Sequence, residues 1–173
     1  MLKFRLATIP IMIALTVLCC GCAPAVKREI NLYLLAQDIP PSQIVQTNLN
    51  SLELKKQSTL SSKDIVWYSR ATHEMELTPK AYRHIQNLFS GPLDMDGIPF
   101  VLCVGKERIY AGAFWTPVSS QTFDGVIIMQ PIQDNHYTIS LTLGYPSIIF
   151  FKGKDPRSDP RILSAFDAVG KLK

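Results

Sequence analysis

Residues 6–18 are apolar apart from Thr8 and Thr16, and the run closes on Leu-Thr-Val-Leu-Cys-Cys-Gly-Cys at residues 15–22. This stretch constrains the fold most, because it decides how much chain remains to build a core. Lys3 and Arg5 precede it, no acid does, and small residues follow, which is the layout of a secretory leader. A membrane-spanning helix needs ~20 apolar residues to cross a ~30 Å hydrocarbon core. The run here is shorter and contains Pro10, so the expectation is a removed leader and not a permanent span.

The Gly21-Cys22 pair resembles a bacterial lipobox, in which an aliphatic residue, a small residue and Gly or Ala precede a cysteine that receives lipid. Cys19 and Cys20 stand where Leu and Ala or Ser are usual. Cutting ahead of Cys20 or Cys19 would leave Cys19 or the bulky Leu18 just upstream of the break, so Cys22 is the expected lipidated residue. The alternative is an ordinary secreted protein cut near Ala23 or Ala25. One acyl chain holds a protein only marginally at ~0.8 kcal/mol per buried CH₂, whereas two or three make a stable anchor. Ala23 is not the Asp that retains many such proteins at the inner membrane, so by resemblance to that rule the outer membrane, facing the periplasm, is expected. The organisation that follows is a signal peptide at 1–21, a tether at 22–29 and one domain at 30–173. Cys103 is then the only free thiol, no intramolecular disulfide is possible, and the fold must rest on its core.

Without residues 1–21 the chain holds 152 residues, enough for a single core, and its net charge falls from +4 to +2 as Lys3 and Arg5 leave. No long basic run or aromatic-interleaved basic patch occurs, which argues against nucleic acid as a partner. The mild basic excess sits in residues 152–173, six bases against three acids, and reads as a solvated tail or an attraction to an anionic membrane surface.

The run Ile-Asn-Leu-Tyr-Leu-Leu-Ala at residues 30–36 predicts a buried strand ended by Pro40-Pro41. Leu52 and Leu54, alternating with Glu53 and Lys55, predict a second strand, and Ser61-Ser62-Lys63-Asp64 a turn. Residues 65–69 and 72–77 read as extended. Thr78-Pro79 starts a helix over 78–89, with Ala81, Tyr82, Ile85, Leu88 and Phe89 on one face, stopped by Gly91-Pro92. Residues 99–104 predict a central strand that turns at 105–108 into a hairpin partner at 109–115. A polar loop at 116–124, a turn at Asp124-Gly125, a strand at 126–129 and the clean alternation of Tyr137, Ile139, Leu141 and Leu143 follow. Asp159-Pro160 starts a second main helix over 159–169, capped by Gly170. The expected fold class is α+β, a mainly antiparallel sheet with two main helices.

Chemistry is sparse. His73, His84 and His136 show no i, i+4 pairing, and His73 and Glu74 point to opposite faces of a strand, so no metal site is expected. Asp94-Met-Asp96-Gly97 begins like a calcium loop, but Gly105 stands where the bidentate Glu belongs. Ser119 and Ser120 lack a Gly-x-Ser-x-Gly elbow, Cys103 lies within an apolar strand, and no glycine-rich phosphate cradle exists, so no cofactor is expected. What remains is a candidate binding loop, Trp115, Ser119, Ser120, Phe123 and Asp124, in which two aromatics bracket small polar residues. Inward packing of both aromatics is the commoner use of such residues.

Glu76-Leu77-Thr78-Pro79-Lys80-Ala81, followed by Gly97-Ile-Pro-Phe-Val-Leu-Cys-Val104, residues 106–111 and Ile127, is similar to the periplasmic head subdomain of the SecD translocase subunit. Gly105-Lys106 lacks the Asp of that family's turn, and the likeness spans about a third of the domain. It implies a partner-contacting α+β module and not proton-driven export. The chain also resembles small bacterial lipoproteins of unassigned role. The expectation is a lipid-anchored, non-enzymatic envelope protein held to the membrane through Cys22 and binding an envelope protein partner. The alternative is an envelope hydrolase or small-ligand binder whose Ser119, Ser120, His73 or His136 converge only in three dimensions.

Overall fold

The computed structural model describes residues 29–91, 96–132 and 136–173; the expected leader and tether with Cys22, apart from Glu29, and Pro92 and Asp94 lie outside them. Eight strands form one sheet: β1 (Ile30–Leu34), β2 (Leu60–Ser61), β3 (Ile65–Tyr68), β4 (Glu74–Leu77), β5 (Ile98–Val104), β6 (Glu107–Trp115), β7 (Phe123–Met129) and β8 (Thr138–Tyr145). Their order is β2-β1-β5-β6-β7-β8-β4-β3, and every pair is antiparallel except β6 with β7. With helices α1 (Pro41–Ile44), α2 (Pro79–Asn87) and α3 (Pro160–Asp167), the fold is α+β with two main helices.

The edge strands β2 and β3 are joined by residues 62–64 alone. Seven steps of ~4.8 Å would part the edges of a flat eight-stranded sheet by about 34 Å. Four Cα steps from Ser61 to Ile65 reach about 15 Å. The sheet therefore curls until its edges meet. Asp64 Oδ2 accepts from the Ser61 amide (2.8 Å) and hydroxyl (2.7 Å), while Ser62 Oγ accepts from the Ile30 amide at 2.7 Å, so the expected turn at Ser61-Ser62-Lys63-Asp64 is also the seam.

Inside the curl lies the larger core, where Leu32, Phe100, Phe114, Ile128 and Leu141 pack against Tyr82 and Ile85 of α2 and Ile162 and Phe166 of α3. Both helices begin as the residue pattern predicts. Thr78 Oγ1 accepts from the Ala81 amide at 3.3 Å and Asp159 Oδ1 from the Arg161 amide at 2.9 Å, each with proline in the first turn. Gly170, at φ 68°, lets the Lys171 amide bond the Phe166 carbonyl (2.9 Å) and redirects the chain alongside β3.

A smaller cluster on the outer face gathers Leu35, Ile44, Leu52, Val101, Cys103, Ala113, Trp115, Phe123 and Ile127. Two expectations fail here. Leu52 and Leu54 do not form a strand: Leu49–Ser51 is a 3₁₀ turn, and Leu54 makes only one bridge, to Leu35. The Asn48 side chain accepts from the Asn50 amide, and Arg108 ties down the Leu49 and Leu52 carbonyls (2.7 Å to Leu52). Pairing of residues 52–55 with the β1 side is limited, among the described residues, to the Ala36 amide on Glu53 (2.8 Å) and the Lys55 amide on Leu34 (2.9 Å). Asp124-Gly125 is not a turn either, but the bulged start of β7, which runs parallel to β6.

That parallel pairing makes residues 116–122 a crossover. From Trp115 the chain must return about five residue steps, ~17 Å, to enter β7 beside its partner. Eight Cα steps suffice only if the segment runs back over the sheet. It lies on the outer face, where the Tyr145 hydroxyl donates to the carbonyls of Pro117 (3.1 Å) and Ser119 (3.4 Å).

Candidate functional site

The crossover decides what the candidate loop can present. Trp115 and Phe123 are both 2% exposed and stack at 5.3 Å between ring centroids with a 15° tilt. Tyr145 closes on the indole at 5.5 Å. Gly97, at φ 80°, lies so close that a Cβ there would come within 2.6 Å of the Trp115 ring. Ser119 is buried and its hydroxyl accepts from the Gln121 amide at 3.2 Å, whereas Ser120 is exposed. Asp124 is half-buried, and its carbonyl accepts from the Lys152 amide at 3.3 Å. The aromatics thus fasten the crossover to the sheet, and the side chains that the loop exposes are Pro117, Val118, Ser120, Gln121 and Thr122.

Beside this fastening, where crossover and α1 leave the outer face uncovered, a groove of about 460 Å³ opens over β7 and β8. Ile127, Met129 and Thr142 line its floor, Tyr145 and Ile148 one wall, and Arg157 contributes to the lining. Strand alternation puts Ile127 and Thr142 opposite each other on the outer face, as their pairing requires. Beyond the groove the outer face turns polar through Thr138, Ser140, Glu74 and Glu76, paired across β8 and β4. An apolar patch with one fixed cation at the border of a polar surface has the composition of a binding site.

Arg157 is fixed by its neighbours. Its guanidinium donates to both Asp155 oxygens (3.0 and 2.8 Å) and to the Leu141 carbonyl (2.7 Å). Around it, Tyr68 Oη pairs with His73 Nδ1 at 2.8 Å and donates to the Arg157 carbonyl at 3.2 Å, and His73 Nε2 lies 4.0 Å from Asp155 Oδ2. Burial pushes the Tyr68 phenol up to about 12. Burial first, then the Arg157 charge, pushes His73 below its ordinary value against the pull of Asp155. The guanidinium hydrogen bonds hold Asp155 below the usual carboxylate range.

His73 is not on a strand as the alternation suggests. It precedes β4 at φ 55°, with its amide on the Ser69 carbonyl (2.9 Å). Its ring nitrogens face Tyr68 and Asp155, so the structure gives it partners other than Ser119 or Ser120. His84 is exposed on α2 and His136 is exposed ahead of β8. Cys103 is 3% exposed, and burial raises its thiol above the ordinary value while Arg108 opposes. Among the described residues no group of three or more His, Cys, Asp or Glu is arranged to hold a metal ion.

Sequence reasoning missed Ile127, Met129, Tyr145 and Ile148 as groove residues. One signal was present: Ile-Ile-Phe-Phe at residues 148–151, an apolar run outside any predicted strand or helix and followed by Lys152 and Lys154. Comparison with family models, curated proteins and solved structures returns no match.

Proposed function

We propose that this chain is a lipid-anchored bacterial envelope protein whose domain binds another envelope component without chemistry, through the groove over β7 and β8. The observation that carries this reading is the groove itself: an apolar floor of Ile127 and Met129, an aromatic wall at Tyr145, and the fixed cation of Arg157. Apolar floor and aromatic wall supply contact area, and the Arg157–Asp155 ion pair, held in place by the Leu141 carbonyl, supplies a fixed polar group at little entropic cost. The likeness of residues 76–111 to the SecD head supports a module that contacts partners, and the Gly21-Cys22 lipobox supports the anchor on the outer membrane. A groove of about 460 Å³ is also the size of small-molecule sites, so a small, largely apolar ligand is the second reading.

Thr142 is exposed on the groove floor, so Thr142→Arg blocks the groove without entering the core. The expected outcome is loss of specific envelope-protein capture by the lipidated protein, at least tenfold, with an unchanged thermal midpoint. Capture that survives Thr142→Arg at full strength refutes the groove as the site. Mass spectrometry of the mature amino terminus checks the anchor separately: a diacylglyceryl-modified Cys22 is expected, and an unmodified start beyond Cys22 removes it.

A further inference from the structure

Ile148 and Ile149 are 65% and 83% exposed. Val118 and Ile132 are exposed singly in the chain, which is ordinary for a protein surface. Ile148 and Ile149 are adjacent in the chain and sit at the tip of a 3₁₀ turn, Ile148–Phe150, that is tied down at both ends. The Phe150 amide donates to the Ser147 carbonyl (3.1 Å), Phe151 to Ile148 (3.0 Å), and Lys152 to Asp124 (3.3 Å). Behind the turn Gly144 adopts φ 69°, where a Cβ would meet the Phe151 nitrogen and the Ser147 oxygen at 2.7 Å each. The turn is thus built to hold two isoleucines away from the body.

The strand ladders show which way this tip faces. Ile30 is level with Val104, and Val104 with Glu107. β7 runs parallel to β6, so its start, Phe123, lies toward the Glu107 end, and Phe123 pairs with Tyr145. The end of the sheet at which the chain leaves residue 29 for β1 is therefore the end from which residues 146–154 project. Over this end as a whole the charges balance, but residues 146–154 carry only Lys152 and Lys154, so the tip itself is basic. Arg161 holds Glu107 (3.3 Å) and Asp159 (2.8 Å), and Arg157 holds Asp155 (2.8 Å). Lys106, Lys152 and Lys154 are exposed and make no ion pair among the described residues, against Glu29 and the half-buried Asp124. From Cys22 to Ile30 the chain can reach about 28 Å at most, so an anchor on Cys22 keeps this end of the domain close to the bilayer.

We propose that the Ile148-Ile149 tip, with Lys152 and Lys154, is a second membrane contact that seats this end of the domain on an anionic phospholipid surface. The isoleucines enter the headgroup–acyl boundary while the two lysines stay at phosphate level, the division of labour of interfacial segments. This rests on the anchor reading for the local concentration of lipid, but the tip's own contact is measurable apart from it. Docking also fixes the domain's orientation, with the mouth of the groove beside the bilayer because Ile148 belongs to both.

The test places a nitroxide on Ile149→Cys in the lipidated protein, with Arg83→Cys on α2 as the control, Cys103 being buried and unreactive. The protein is reconstituted in vesicles of phosphatidylglycerol with phosphatidylcholine, or of phosphatidylcholine alone, and collision with oxygen and with a water-soluble nickel chelate is measured. The expected result is an oxygen-rich, nickel-poor environment at position 149 on the anionic vesicles and an aqueous one at position 83. Lys152→Gln with Lys154→Gln should lower the docked-to-free ratio about thirtyfold, near fivefold per charge. A protein held to vesicles by its lipid with position 149 fully aqueous overturns the tip while leaving the anchor intact. If mass spectrometry finds no lipid on Cys22, the unlipidated protein with Cys19, Cys20 and Cys22 replaced by serine, so that the nitroxide goes to position 149, is mixed with the same vesicles. Contact at position 149 then supports the tip without the anchor, and its absence overturns it. Spin–spin broadening at position 149 without vesicles would identify a second copy as the occupant and also overturn the proposal.

Discussion

Trp115 carries a heavier structural load than its place next to a polar loop suggests. It is 2% exposed between Phe123 and Tyr145, and Gly97 has no side chain because the indole occupies that space. Trp115→Ala should therefore cost stability, about 3–5 kcal/mol for a buried large aromatic, read as a lowered urea midpoint. The Trp115 indole N–H has no hydrogen-bond partner among the described residues. Trp115→Phe strands no acceptor and should lose far less. Partner loss in Trp115→Ala accordingly reports unfolding, and the groove is better probed at Thr142. His73 sets a second expectation. Its folded value lies below its ordinary one because burial disfavours the imidazolium, so the ring is held neutral beside Tyr68 and Arg157. Stability from this group is complete above the unfolded value, about 6.5, and is lost as pH falls through the lower folded value. Asp155, also depressed, gives way only in more acid solution. Denaturation midpoints measured from pH 8 to 4 should be level at first and decline below about 6.5. His73→Asn, which tolerates the positive φ, should flatten the first part of that decline.

At the scale of elements, the exposed edge of β3 is covered by residues 171–173. The Tyr68 amide donates to the Lys171 carbonyl (2.8 Å), the Lys173 amide to Tyr68 (2.8 Å), and the Arg70 amide to Lys173 (3.0 Å). Lys171 Nζ also reaches the Ser62 carbonyl at 2.6 Å and the Ile65 carbonyl, bridging the seam from one edge to the other. Lys173 Nζ stands 4.1 Å over the Trp67 ring. Three backbone bonds at roughly 1 kcal/mol each suggest that removing residues 171–173 costs about 2–4 kcal/mol. It should also expose an unpaired strand edge. The expected readouts are a lower denaturation midpoint and light scattering that rises with protein concentration, with α3 helicity largely kept. Unchanged scattering and midpoint would show that the edge needs no cover.

Across the whole molecule, the parts legible in the residue pattern are those set by neighbours in sequence. Thr78-Pro79 and Asp159-Pro160 carry their own caps, and the alternation from Tyr137 to Leu143 has one buried face, with Ile139, Leu141 and Leu143 turned inward. What was not legible depends on partners far along the chain. Leu52 and Leu54 alternate like a strand, but the Asn48 side chain shapes a turn at 49–51 and Arg108, 56 residues from Leu52, holds the Leu52 carbonyl. The polar composition of residues 116–122 describes a loop truthfully, and nothing in it reveals that the loop lies on a sheet face because β6 and β7 are parallel. The groove is hidden for the same reason, since its floor and wall come from β7, β8 and the following turn, brought together only by strand order.

The seam carries a consequence for the order in which the sheet is completed. β1, paired with β2, begins near the start of the domain, yet the bridge across the edges needs Lys171. The first strands can pair as soon as residues 30–61 are free to fold, but the sheet stays open until residues 171–173 reach the seam. During that interval the inner face, which α3 later covers with Ile162 and Phe166, is bare to any binding chaperone. Closure therefore waits on contacts far along the chain, and the inner face is most exposed between the pairing of the first strands and the arrival of Lys171.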